Sequence, residues 1–118
     1  MEFLERATVL TLAQLNPTVG AIAANAEKAY AAWQDARDAG ADMVALTVMF
    51  ITGYQVQDLN MKPALHQHAM RAIDQLAKQC ADGPALGIGG PFAEDGKLYN
   101  AYYILQGGKI SARVLKHN

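Results

Sequence analysis

The chain has 118 residues and a formal net charge of −1, from 10 basic and 11 acidic side chains. That length suits one domain or part of one and excludes two full-sized domains. So balanced a charge gives no electrostatic reason to expect nucleic acid or an anionic membrane as a partner. Apolar residues make up 52% of the chain, which argues against disorder. Alanine accounts for 22 residues, so much of that apolar content is small, helix-forming side chain rather than bulky core. The single cysteine, Cys80, excludes an internal disulfide framework and a multi-cysteine zinc site, and fits a reducing compartment. Met1-Glu2-Phe3-Leu4-Glu5-Arg6 lacks the basic region of a signal peptide. The longest apolar run, Met43 to Ile51, is about half the length a spanning helix needs. A soluble, cytoplasmic protein is expected.

Ala7 to Leu15 is rich in β-formers and reads as a buried strand, closed by the turn and helix-start chemistry of Asn16-Pro17-Thr18. From Val19 to Ala39, Ile22, Ala26, Tyr30 and Trp33 recur at helical spacing, and Gly40 is the natural stop. Met43 to Ile51 reads as a central strand covered on both faces. A second helix opens at Pro63, with Leu65, Ala69, Ile73, Leu76 and Cys80 on one face, and Asp82-Gly83-Pro84 ends it. Ala85 to Gly90 is a third short strand. Beyond Pro91 the turn signals Glu94-Asp95-Gly96 and Gln106-Gly107-Gly108 frame two antiparallel strands, Lys97 to Leu105 and Lys109 to Lys116. The predicted order is β-α-β-α-β-β-β, an α/β fold with helices on at least one face of the sheet.

Several residues invite a chemical reading. Gly87-Ile88-Gly89-Gly90 resembles a phosphate loop, but Phe92 stands where the third glycine belongs and no helix opens there, so tight strand packing is the better account. His66 and His68, two apart on a helix, point to nearly opposite sides and read as solvated rather than as metal ligands; no metal site is expected. Cys80 lies on the apolar face of a helix end and reads as structural. Ile110, Ala112, Val114 and Lys116 share a face by strict alternation. On spacing alone, Lys116 is a terminal lysine reaching back to water.

Taken together, the segments resemble the carbon–nitrogen hydrolase (nitrilase) superfamily, and within it the N-terminal glutamine-amidase domains of bacterial NAD+ synthetases. The likeness rests on Ala13-Gln14-Leu15-Asn16-Pro17-Thr18-Val19-Gly20 with Asn25, on Gly40-Ala41-Asp42, and on Phe50-Ile51-Thr52-Gly53-Tyr54 with Asp58-Leu59 and Lys62-Pro63-Ala64. It continues in Asp95-Gly96-Lys97-Leu98-Tyr99-Asn100-Ala101 and Lys116-His117-Asn118. The resemblance implies that residues 1–118 are a partial amidase domain, the N-terminal half of an αββα sandwich. It also implies a Glu-Lys-Cys triad acting on the amide of glutamine: a thiol nucleophile, a carboxylate base and a cation at the developing oxyanion. Lys116 matches the family lysine, and Tyr54 the tyrosine beside the glutamine pocket. The glutamate does not carry over, because Val48 occupies its position in Leu46-Thr47-Val48-Met49. The nucleophilic cysteine falls beyond Asn118, and Ala21 replaces an acidic residue. The ATP and magnesium of the family enzymes belong to a synthetase domain that this chain lacks.

The expectation is therefore a fragment or degenerate relative, inactive as it stands. Its partners would be glutamine as the family substrate and the remainder of the amidase and synthetase domains, together with a second copy of itself or looser self-association. A non-catalytic assembly subunit and a small-molecule binding module are the alternatives.

Overall fold

A computed structural model describes residues 10–12, 21–47, 51 and 63–116, with 10–12, 63–65 and 116 described by backbone alone. The elements are β1 (Leu10–Leu12), α1 (Ile22–Asp38), β2 (Met43–Ala45), α2 (Pro63–Gln79), β3 (Ala85–Glu94), β4 (Lys97–Gln106) and β5 (Lys109–Lys116). They form one five-stranded sheet in the order β1-β2-β3-β4-β5. The first three strands are mutually parallel and the last two antiparallel. The expected order β-α-β-α-β-β-β is the order observed.

Both parallel connections step in the same direction across the sheet. A right-handed crossover therefore puts α1 and α2 on the same face. On that face Val44, Leu86, Ile88, Ala101, Tyr103 and Leu105 are buried against Trp33, Ala69, Ile73 and Leu76 from the helices. The opposite face carries Tyr102, Ile104, Ala112 and Val114, the alternate residues of the same strands. Val114 is 64% exposed. Among the described residues this is a two-layer arrangement, helices over sheet, with the second sheet face not covered by a further layer.

The elements depart from expectation in four places, each for a local reason. The buried stripe of α1 is Ile22, Asn25, Ala29, Trp33 and Ala36. Ala26 and Tyr30 are only partly buried, because Asn25 is drawn inward by a hydrogen bond. The strand expected over Ala85–Gly90 continues to Glu94. In β3 the odd-numbered residues direct their backbone groups towards β2, as Ala85, Gly87 and Gly89 do. Pro91 thus falls where no β4 rung needs an N–H, and proline costs the ladder nothing there. Its carbonyl accepts from the Tyr103 hydroxyl at 2.6 Å. Ile110 does not share a face with Ala112 and Val114, for the β4–β5 register jumps from Leu105↔Ile110 to Ile104↔Ala112. Ser111 is the extra residue of a bulge, which returns Ile110 to the core side. The regular β2 ladder also ends earlier than the run Met43–Ile51 suggests. The expected ends of the first strand, and the turn at Asn16-Pro17-Thr18, lie outside the described residues.

The turns follow their residues. Gly40, with φ of +83°, ends the helix approach, and Asp95-Gly96 and Gly107-Gly108 are both pairs of positive φ, as two-residue hairpin turns between twisted strands require. Gly83-Pro84 is held by Trp33, whose indole N–H donates to Pro84 O at 2.8 Å. A Cβ on Gly83 would meet the Trp33 ring at 2.6 Å.

Cys80 is 1% exposed, and burial pushes its thiol up from about 9 to about 12, with Arg37 opposing. Tyr103 is likewise pushed to about 12 by burial, again against a nearby arginine, Arg113. Folded groups with raised pKa hold protons that the unfolded chain has released, so their stabilisation is complete below about pH 9 and lost as pH rises towards 12. Urea midpoints should hold from pH 7.5 to 9 and then fall. Cys80 alone should account for a loss on the order of 2 kcal/mol by pH 10.5. A Cys80→Ala variant should lose less than the parent over that range. Parallel curves for the two proteins would show that the thiol is not the group responsible.

Candidate active site at the carboxyl ends of the strands

The carboxyl ends of β2, β3 and β5 lie at one end of the sheet, the end at which open α/β sheets place ligands. Lys116, the last residue of β5, pairs with Asn100 of β4, which in turn pairs with Pro91 of β3. Val48 and Tyr54 lie outside the described residues, and so does the Lys116 side chain. The residues that bracket position 48 are described, and they carry the most irregular geometry in the sheet.

Up to Leu46 the β2–β3 ladder is regular: Ala85 N–H donates to Asp42 O at 3.3 Å and Leu46 N–H to Gly87 O at 2.8 Å. Continued regularly, it would have Gly89 N–H donate to Leu46 O. Instead Gly89 N–H donates to Thr47 O at 3.2 Å, and Gly89 O accepts from Ile51 N–H at 3.2 Å. That donor is three residues later than a regular ladder supplies. Two side chains take up the carbonyls thereby left over. The Tyr102 hydroxyl reaches across β3 on the bare face and donates to Leu46 O at 2.9 Å. On the helix face, the Asn25 side-chain amide, fully buried, donates to Ile51 O at 3.1 Å. Leu46 and Ile51, which flank position 48 in sequence, are thus held from opposite faces.

The glycines of β3 serve this crossing. A Cβ on Gly87 would stand 2.5 Å from the Tyr102 hydroxyl, and one on Gly90 would stand 2.6 Å from Ile73 Cδ1 and 2.7 Å from Ile51 Cγ2. Gly87-Ile88-Gly89-Gly90 is therefore a close-packed strand and not a phosphate loop. Burial raises the Tyr102 pKa, against the pull of its bond to Leu46, so the hydroxyl keeps the proton it donates.

The structure brings Lys116 and the flanks of position 48 to one end of the sheet but does not put their backbones together. Three strand spacings, about 14 Å, separate β5 from β2. Cys80 is elsewhere. It follows the last residue of α2, ahead of the start of β3, and the six steps from Ala85 to Pro91 span about 20 Å of strand. A buried thiol with its pKa near 12 is no nucleophile at neutral pH. His68 is exposed, as expected, but His66 is not simply solvated. Its Nε2 is buried without a hydrogen-bond partner, and burial lowers its pKa, which keeps the ring neutral. Two residues apart on a helix, the pair has one ring turned in and one out. Among the described residues no group of three or more His, Cys, Asp or Glu could hold a metal, and no helix is long and apolar enough to cross a membrane.

Sequence reasoning missed Tyr102. Its signal was present: two adjacent tyrosines opposite a glycine-rich strand, each needing a partner for its hydroxyl.

Comparison with known proteins places this geometry in context. The model of the carbon–nitrogen hydrolase family matches residues 9–118. A glutamine-dependent NAD+ synthetase of Rhodobacter capsulatus is 62% identical over 109 residues, 92% of this chain and 20% of that protein. The crystal structure of a glutamine-dependent NAD+ synthetase from Cytophaga hutchinsonii superposes with a TM-score of 0.84 at 23% identity, covering 95% of this chain and 19% of the other. An amidase from a Nesterenkonia species gives a TM-score of 0.78 at 16% identity over 95% of this chain and 44% of its own. The chain spans about a fifth of the length of the synthetases it matches.

The hold on Leu46 has a measurable consequence. Tyr102→Phe leaves Leu46 O without its donor, which should cost about 1–3 kcal/mol in denaturant unfolding and speed exchange of the neighbouring Gly89 amide. An unchanged midpoint with unchanged exchange would mean that the hydroxyl does not hold Leu46.

Proposed function

Because the chain belongs to the carbon–nitrogen hydrolase family, we propose that it derives from a glutamine-hydrolysing domain of the kind found in NAD+ synthetases, and that it does not itself hydrolyse glutamine. The name of the Rhodobacter capsulatus relative, at 62% identity, supports the lineage. The observation that carries the second half is the placement of Cys80. The single thiol of this sequence is buried, protonated and at the wrong end of the sheet.

In this reading Lys116 is the lysine that would face the oxyanion, Tyr54 stands beside the glutamine side chain, and position 48 is that of the general base. Valine there cannot accept a proton. Loss of a general base costs about 10² to 10⁴ in rate, and loss of the nucleophile removes the covalent route altogether. The ammonia-consuming step, with its ATP and magnesium, belongs to a separate synthetase domain. The rest of the amidase domain is the natural cover for the sheet face bearing Tyr102, Ile104 and Val114. The exposure of Val114, at 64%, favours as a second reading an assembly role for this half-domain through that face.

Repair separates these statements. Four proteins are compared for ammonia release from glutamine: the chain alone, Val48→Glu, the chain joined to the C-terminal half of a related amidase domain, and the joined protein with Val48→Glu. Only the last should be active, since triad members act as a unit, and Lys116 should there regain a carboxylate partner. Equal activity in the joined protein that keeps Val48 would show that the base lies elsewhere. Activity of the chain alone above a Lys116→Ala control would overturn the proposal.

A further inference from the structure

The stretch Asp95 to Ala101 carries part of the family likeness, yet the triad uses none of it. Asn100 lies within it, and the sheet gives it a definite neighbour. On β4, Ala101, Tyr103 and Leu105 are buried under the helices, so Leu98, Asn100, Tyr102 and Ile104 belong to the other face by alternation. The odd-numbered residues of β3 bond to β2, so the even-numbered ones bond to β4, where their partners are Leu105, Tyr103, Ala101 and Tyr99. Asn100 therefore turns its backbone groups to β5, where its partner is Lys116. In an antiparallel ladder such a pair exchanges both hydrogen bonds, with Cα atoms about 5.5 Å apart, and both residues stand on the same face.

That face offers Lys116 few other partners. Along β3 it carries Gly87, Gly89, Pro91 and Ala93, none with a hydrogen-bonding side chain. Tyr102 reaches away from β5 and donates to Leu46 O. Val114, the preceding residue of β5 on that face, is apolar. Among the described residues Asn100 is thus the polar residue placed beside Lys116. A lysine that serves an oxyanion has two needs: its long flexible stem must be held, and its charge must be left for the substrate. An amide oxygen meets both, because it accepts from an ammonium without neutralising it, whereas a carboxylate in its place would cancel the charge. We propose that Asn100 is a positioning residue for Lys116, its amide oxygen accepting a hydrogen bond from the ammonium. The catalytic meaning of this contact rests on the amidase reading of Lys116; the contact itself rests on the β4–β5 register alone.

The test is trace acetylation of the full chain with acetic anhydride at about pH 8, where lysine amines are mostly protonated and only the free base reacts. Mass spectrometry quantifies each lysine, with Lys28, Lys78, Lys97 and Lys109 as internal references. Asn100→Leu removes the acceptor and nearly keeps the shape, so labelling of Lys116 should rise about threefold, the scale of a partly exposed hydrogen bond to a charged donor. Asn100→Asp should push it below the parent, because a carboxylate holds the proton more firmly. Opposite movements at one lysine, with the references steady, are not what a merely structural residue gives. Equal labelling of Lys116 in all three proteins, or a rise with both substitutions, would overturn the proposal. In the joined protein with Val48→Glu, Asn100→Leu should lower kcat and leave KM nearly unchanged; a loss confined to KM would also overturn it. Full activity of Lys116→Ala in that joined protein would overturn the amidase reading instead, and the labelling result would stand apart from it.

Discussion

The handedness of two crossovers governs this structure. β1-α1-β2 and β2-α2-β3 step the same way along one sheet, and right-handed connections of that kind can only put both helices on one side. A core then forms on that side alone. Trp33, Ile73, Leu76, Leu86, Ile88 and Leu105 are all within 1% of complete burial, while on the opposite face Tyr102 and Ile104 are only partly buried and Val114 is exposed. The antiparallel strands β4 and β5 widen the sheet but add no second layer. Among the described residues, one face of the sheet is a finished core and the other is not.

The same asymmetry explains how the carboxyl end of β2 is held. A strand leaving a parallel ladder strands its carbonyls, and a buried unpaired carbonyl costs about 1–3 kcal/mol. Here the carbonyls before and after the departure are satisfied from opposite sides, by Tyr102 over the bare face and by Asn25 from the core. Gly87 makes the first possible by leaving room for the tyrosine ring, and Gly90 makes the second possible by letting Ile51 and Ile73 meet over it. Four residues on three elements therefore serve to hold Leu46 and Ile51. Nothing comparable is spent on the hairpins, whose geometry rests on glycine and aspartate at positive φ.

Much of this was legible in the residues and some could not have been. The order of elements followed from periodicity and turn chemistry, because helix and strand periods differ and Gly-containing turns punctuate them. The end of β3 was misread because proline usually breaks a strand; whether it does depends on which neighbour its missing N–H would have faced, and that is a property of the sheet rather than the sequence. The bulge at Ser111 likewise depends on pairing, and strict alternation through Ile110 and Ala112 gave no hint of it. Asn25 could be seen as part of a motif but not as buried, since its partner Ile51 is 26 residues away. The residues assigned by family likeness rest on motifs alone at Val48 and Tyr54, while for Lys116 the register adds a place, at the end of β5 and opposite Asn100.

A scaffold and the chemistry it positions are separable. The demands on Tyr102, Asn25, Gly87 and Gly90 are steric and hydrogen-bonding demands, and they are the same whether residue 48 carries a carboxylate or an isopropyl group. Substituting valine for an acid removes a charge that would have needed a cationic partner and solvation, so it does not oppose folding. It removes proton transfer entirely. Fold can thus persist whether or not a chain is able to hydrolyse an amide, and similarity of backbone, however close, is evidence about the first and not the second.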